Sequence, residues 1–222
     1  MHRLSDRRGY LGFMALCLAL AGCGAVRSSA DDPLTVGGLT PTIEDKDAGL
    51  VAVAPGLDLT KYNVVVVEKF SVSSGQIEDE GDRRFAEKVT TVLHQQLLRR
   101  LRESGLFQEV IDASATEVKP SDVPTLRLRG AITRLGRGSQ AARYFAGIYG
   151  AGRARAQADM HFAEVPSGRV VIATADRRVS SGLQWFGGDD EEILKESVDD
   201  MARDLAKFLV RLSKGEAPGK SP

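Results

Sequence analysis

Two thiols occur in the 222 residues, at Cys17 and Cys23, and the setting of the second points to a chemistry. Cys23 follows Leu20-Ala21-Gly22, which closes the apolar run from Leu11 to Leu20, and Arg3, Arg7 and Arg8 precede that run. A basic start, a short apolar stretch and small residues at a cut site are the three parts of a secretory signal. The run is about half the roughly 20 residues that a bilayer-spanning helix needs, so cleavage rather than spanning is expected. Cleavage between Gly22 and Cys23 removes Cys17 with the signal and leaves Cys23 as the one sulfhydryl of the exported part. That part can form no internal disulfide, although its compartment would permit one.

Other reactive constellations are not legible. After cleavage the histidines are His94 and His161. Neither has a Ser or Cys nucleophile and an Asp at a recognisable spacing, nor the close His, Cys or carboxylate neighbours of a zinc site. Asp189-Asp190-Glu191-Glu192 lacks the Asp-x-Asp-x-Asp-Gly order of a calcium loop. It suits the start of a helix, where acidic residues offset the dipole. Gly147-Ile148-Tyr149-Gly150-Ala151-Gly152 precedes a strand, whereas a phosphate cradle opens a helix. Hydrolysis of a wall polymer would need two placed carboxylates in a cleft, and no such pair stands out. The expectation is a chain without catalytic residues, metal or cofactor.

The four residues Leu20-Ala21-Gly22-Cys23 resemble the lipobox of bacterial lipoproteins. That resemblance implies diacylation of the Cys23 thiol, cleavage before Cys23 and acylation, commonly with palmitate, of the new amino terminus. Two or more acyl chains anchor stably, whereas one holds only marginally. Gly24 is not the aspartate associated with inner-membrane retention, so the periplasmic face of the outer membrane is expected, with the inner membrane as the alternative. A secreted protein cut near Cys23 without lipidation is a further reading.

The elements behind the signal read as one α+β domain. Hydrophobic content of 42% and charged content of 27% are those of an ordinary globular protein. Beyond Gly22 the chain has 27 basic and 29 acidic residues, giving no bulk attraction to nucleic acid. Residues 23–57, with Asp32-Pro33, Gly37-Gly38 and Pro55-Gly56, read as a flexible tether reaching roughly 30 Å; within it Leu50–Ala54 could form a short edge strand. Tyr62–Phe70 is the strongest strand, its four valines implying burial on both faces or a central place. Phe85, Val89, Leu93, Leu97 and Leu101 mark a helix over about 83–104, capped by Asp82 and stopped by Gly105. A short strand over 107–111 follows. Three more, at 125–135, 152–162 and 169–180, alternate, the last two as a hairpin around Pro166-Ser167-Gly168. Val198, Met201, Leu205, Phe208 and Leu212 mark a second helix over about 190–212, and residues 214–222 read as a disordered tail. The order β-α-β-β-β-β-α predicts a two-layer sandwich over residues 58–213: a mainly antiparallel sheet of about four or five strands with both helices on one face.

Two surface features could meet a partner. Alternation places Arg127, Arg129, Arg153 and Arg155 on the polar sheet face, where stacked like charges repel unless Asp159 and Glu164 compensate them. This is either a solvated face or a docking surface for an acidic partner. Tyr144, Phe145 and Tyr149, with Trp185 further on, are aromatics in connections. The first three either cap the core or form an exposed patch that meets a partner or the membrane, and Trp185 is either a hydrophobic staple of the following helix or a contact tip.

The block from Tyr62 to Leu212 resembles a family of envelope lipoproteins catalogued as domain of unknown function 4410. The similarity rests on the valine-rich strand before Phe70, Leu101-Arg102-Glu103-Ser104-Gly105-Leu106-Phe107, the strand Leu126–Leu135, the segment Gly138–Gly152, the hairpin at Ser167-Gly168 and the last helix. The family brings no established activity or catalytic residue. The expected function is a membrane-anchored, non-enzymatic module that binds another envelope protein, of open oligomeric state. The alternative is an auxiliary lipoprotein of a lipid or polysaccharide transport system, with Phe145, Tyr149 and Trp185 lining an apolar groove.

Overall fold

The structure is a computed structural model that describes residues 25–73, 75, 80–115, 123–136, 155–180 and 190–220. The signal, Cys23, Arg153 and the aromatics Tyr144, Phe145, Tyr149 and Trp185 lie outside the described residues.

In chain order the elements are β1 (Ala25–Ser28), β2 (Ile43–Asp45), β3 (Gly49–Val53), a one-turn 3-10 helix (Leu59–Lys61), β4 (Val64–Val67), β5 (Ser71–Val72), α1 (Glu80–Glu103), β6 (Glu109–Asp112), β7 (Thr125–Gly136), β8 (Arg155–Val165), β9 (Val170–Ser180) and α2 (Asp190–Ser213). The strands form one open mixed sheet in the order β2-β3-β9-β8-β7-β4-β6, with β1 added beside β9 and β5 beside β7. β4 runs parallel to β6 and β7, and β5 parallel to β7; the other pairs are antiparallel. The α+β class and the two amphipathic helices are as expected. The sheet has more strands than the four or five foreseen and is mixed.

β4 shows why a run of valines sits mid-sheet. Val65, Val66 and Val67 are fully buried between β6 and β7. β-branched side chains fit this pleated, doubly covered position. Leu93, Leu97 and Leu101 of α1 and Met201, Leu205 and Phe208 of α2 join Leu126, Leu128, Phe162 and Ile172 in a single core on one sheet face. Ala156 and Ala158, small and fully buried on β8, belong to the same core. Phe70 lies over β7 at Gly130, where a Cβ would come within 2.4 Å of its ring.

One departure concerns a local signal. α1 begins at Glu80, so Asp82 lies inside the first turn and is not the cap. The end is as read: Gly105 takes φ 65° and closes on the Arg102 carbonyl.

The supposed tether is the largest departure. Residues 25–57 are woven into the fold. β1 pairs with Ser180 to Arg177, and β3 pairs with Ala175 to Ile172. Val51, Ala54 and Leu59 enter the core. The tail read as disordered is also held as far as Lys220: Gly219 exchanges hydrogen bonds with Lys46 and Asp45, and Lys220 pairs with Glu44 at 2.8 Å. Short polar and glycine-rich stretches carry little periodicity, yet they add strands wherever a sheet edge offers free backbone groups.

Candidate functional site

Strand alternation puts Arg127, Arg129, Ala131 and Thr133 of β7 on the face away from the helices. Glu68, one residue past β4, lies on the same side. Arg129 grips Glu68 with both forks, Nε at 2.7 Å and Nη2 at 2.9 Å, and Arg127 Nε lies 3.4 Å from the same carboxylate. The Glu68 bond, more than burial opposes, holds the Arg129 pKa above the ordinary arginine value. The compensating acid is therefore Glu68, and neither Asp159 nor Glu164. Glu164 instead pairs with Arg169 at 2.6 Å and accepts from the Tyr62 hydroxyl, which pulls its pKa down to about 2.

Of the four arginines, the three that are described do not gather in one stack. Arg127 lies opposite Ala163 and Arg129 opposite His161, whereas Arg155 lies opposite Gly136, six residues further along β8 and so about 20 Å away. His161 is half-buried; burial, with the Arg129 charge beside it, lowers its pKa below 6.5 and keeps it neutral near pH 7. A pocket of about 330 Å³ opens here between Arg129, His161, Lys69 and Ser71, with Leu34 and Val36 at its rim.

The rest of this face is covered. Residues after β1 cross it as a strap. Gln157 is fully buried, donating to the Asp31 carbonyl at 2.9 Å and accepting from the Asp31 amide at 2.8 Å. Asp159 accepts from the Leu34 amide, from Thr133 Oγ1 and from Gln157 at 2.7–3.0 Å. A buried polar group needs such partners; alternation alone reads both residues as solvated.

Sequence reasoning missed a second polar cluster, on the helix side. Arg178 donates to Asp176 at 2.7 Å and to Asp204 of α2 at 3.0 Å, and all three are buried. Arg27 of β1 donates to the same two carboxylates at 3.2 Å and to the Lys46 and Asp47 carbonyls. Burial opposes the Arg178 charge, but Asp176 and Asp204 outweigh it and raise its pKa. Burial likewise works against Asp204, and Arg178 and Lys207 still bring it below the usual carboxylate value. The signal was available: Asp176 and Arg178 share a face with Ile172, and Asp204 interrupts the apolar stripe between Met201 and Phe208. Near it Arg211 joins Asp45 and Asp47 at 2.7 Å, fixing the β2–β3 turn to α2. His94, which reads as a surface residue, is buried too, with Nδ1 3.2 Å from the Glu68 carbonyl and Nε2 2.9 Å from Asp112. It ties α1 to the ends of β4 and β6.

Among the described residues no three His, Cys, Asp or Glu side chains are grouped to hold a metal, and no helix is long and apolar enough to cross a membrane.

No family model and no curated protein sequence matches the chain, so the resemblance to domain of unknown function 4410 gains no support there. Solved structures are similar in backbone. They include the PelC dodecamer from Paraburkholderia phytofirmans, at 13% identity and TM-score 0.43, covering 70% of this chain and 94% of that one. A Xanthomonas campestris protein of the DUF330 family has 13% identity and TM-score 0.45, covering 79% and 95%. A candidate lipoprotein from Caulobacter crescentus has 14% identity and TM-score 0.38, covering 72% and 96%. Likenesses of this degree transfer no residue role, partner or activity to this chain.

Proposed function

We propose that the chain is a bacterial envelope lipoprotein, anchored through Cys23 on the periplasmic face of the outer membrane and akin to the 4410 family, that binds another envelope protein without catalysis. The observation that carries this reading is the division of the sheet's second face. The strap seals the part over Gln157 and Asp159, and leaves Arg127, Glu68 and Arg129 at the surface beside the pocket. Charged groups held in fixed geometry on a rigid sheet suit selective recognition and orientation of a partner. A carrier of lipid or polysaccharide is the second reading, supported by the pocket with Leu34 and Val36 at its rim.

Photocrosslinking from position 71, an exposed position lining the pocket, in the intact envelope tests the first reading. A defined protein adduct that disappears on replacing Lys69 by Glu is the expected result. A chain that yields only lipid or glycan adducts favours the second reading, and no adduct of any kind contradicts both.

A further inference from the structure

We propose that the end of the sheet bearing Arg134, Arg155 and Arg177 rests on the bilayer and receives anionic lipid headgroups; this deepens, and rests on, the reading of Cys23 as the lipidated residue. Chain length sets which end of the domain meets the lipid. One residue, Gly24, separates Cys23 from Ala25, and Ala25 is already paired with Ser180 at the end of β9. Two residue steps span at most about 7 Å, comparable with the thickness of one headgroup layer. There is no slack to take up by unravelling β1. Arg27 is held by the buried carboxylates of Asp176 and Asp204 and by two backbone carbonyls, so peeling the strand would strand a buried charge cluster. An anchor at Cys23 thus brings this particular end of β7, β8 and β9 down to the lipid surface, with the β8–β9 turn at Ser167 pointing away.

Charge favours the same end. Gln157 lies between Arg134 on one neighbouring strand and Arg177 on the other. Arg155, two residues before Gln157, shares its face. Three arginines on adjacent strands thus gather at the anchored end, away from the Arg127–Arg129 pair. Their acidic partners are loose: Arg134 reaches Asp32, and Arg177 reaches Asp31, only at 3.8 Å, and both acids are largely exposed. The exposed Arg155 has no ion pair among the described residues. Planar guanidinium groups with spare donors match phosphate oxygens. Basic groups near an anionic membrane surface each strengthen binding about five-fold.

The test uses the full lipidated protein in vesicles of phosphatidylethanolamine and phosphatidylglycerol, 7:3 by moles. Because Cys23 is acylated, a single dye can be placed by Ser29→Cys at the anchored end or by Ser167→Cys at the far turn, and energy transfer to a headgroup-labelled lipid is measured. Transfer is expected to be strong from position 29 and weak from 167. It should fall at 29 when phosphatidylcholine replaces phosphatidylglycerol, and again in the Arg134→Gln, Arg155→Gln, Arg177→Gln variant, with flotation unchanged. Should that variant fold poorly, Arg155→Gln alone, whose exposed side chain has no ion pair among the described residues, must still weaken the dependence on anionic lipid. Equal transfer from the two positions, or transfer indifferent to lipid charge and to the arginines, overturns the inference while leaving the anchor intact. Protein that does not float with the vesicles overturns the anchored reading as well.

Discussion

The two faces of the sheet solve the burial problem differently. On the helix side, large apolar groups such as Phe162 and Phe208 fill the space under α1 and α2, and the buried charged cluster of Arg178 with Asp176 and Asp204 is matched. On the other side none of the described helices packs, and the cover over Gln157 and Asp159 is a strap held by hydrogen bonds. The first face holds the apolar core; on the second, Gln157 and Asp159 are buried beneath the strap, while Glu68 and Arg129 keep partly exposed side chains.

If that division is real, damage should scale with the face. Asp204→Ala leaves Arg178 and Arg27 short of a carboxylate in a buried site and is expected to cost about 3–5 kcal/mol, read as a drop in the urea midpoint. Phe162→Ala, on the same face, should cost a similar amount, about 3–5 kcal/mol, through the cavity it leaves. On the strap side, Asp159→Ala removes the acceptor for Thr133, Gln157 and Leu34. A loss of about 1–3 kcal/mol is expected, with the Leu34 amide losing protection in hydrogen exchange before any amide of α1 or α2 does. Smallest should be Arg129→Ala, an exposed pair with Glu68 worth about 0–1 kcal/mol, whose effect belongs to partner crosslinking. An Asp159→Ala protein less stable than Asp204→Ala would break the comparison.

Acid sharpens it. Glu164 falls from 4.5 to about 2 in the folded protein, chiefly through Arg169 and Tyr62, so its contribution is complete above pH 4.5 and disappears as pH falls towards 2. His161 acts in the same direction at higher pH: its folded pKa is below 6.5, the unfolded chain binds the extra proton, and stability falls as pH drops below 6.5. His161→Gln should flatten that upper part of the denaturation profile and leave the Glu164 part in place.

How far the sequence revealed this follows from the same contrast. Periodicity reports apolar faces, so both helices, the valine strand and the β8–β9 hairpin were legible. It is blind to cover made by backbone groups. Asp31 and Leu34 engage Gln157 and Asp159 largely through main-chain atoms, which no residue pattern announces. β1 and β2 pair by main-chain bonds at sheet edges, and their three or four residues are too few to show a period. Arg127, Arg129 and Arg155 shared a face as expected, but register decided their neighbours. A strand pattern gives the side on which a residue points and says nothing of the position opposite, so Arg155 and Arg129 could be placed together until the β7–β8 pairing set them about 20 Å apart. Cys23, by contrast, was read from local chemistry alone and owes nothing to the fold.

The central claim is that a thiol two residues ahead of β1 holds the acyl chains. Top-down mass spectrometry of the protein purified from its native envelope tests it most directly. The account predicts a first residue of Cys23 whose fragment ions carry the added mass of a diacylglycerol thioether. Fragment ions giving a free Cys23 thiol, or a chain starting at another residue, would contradict it.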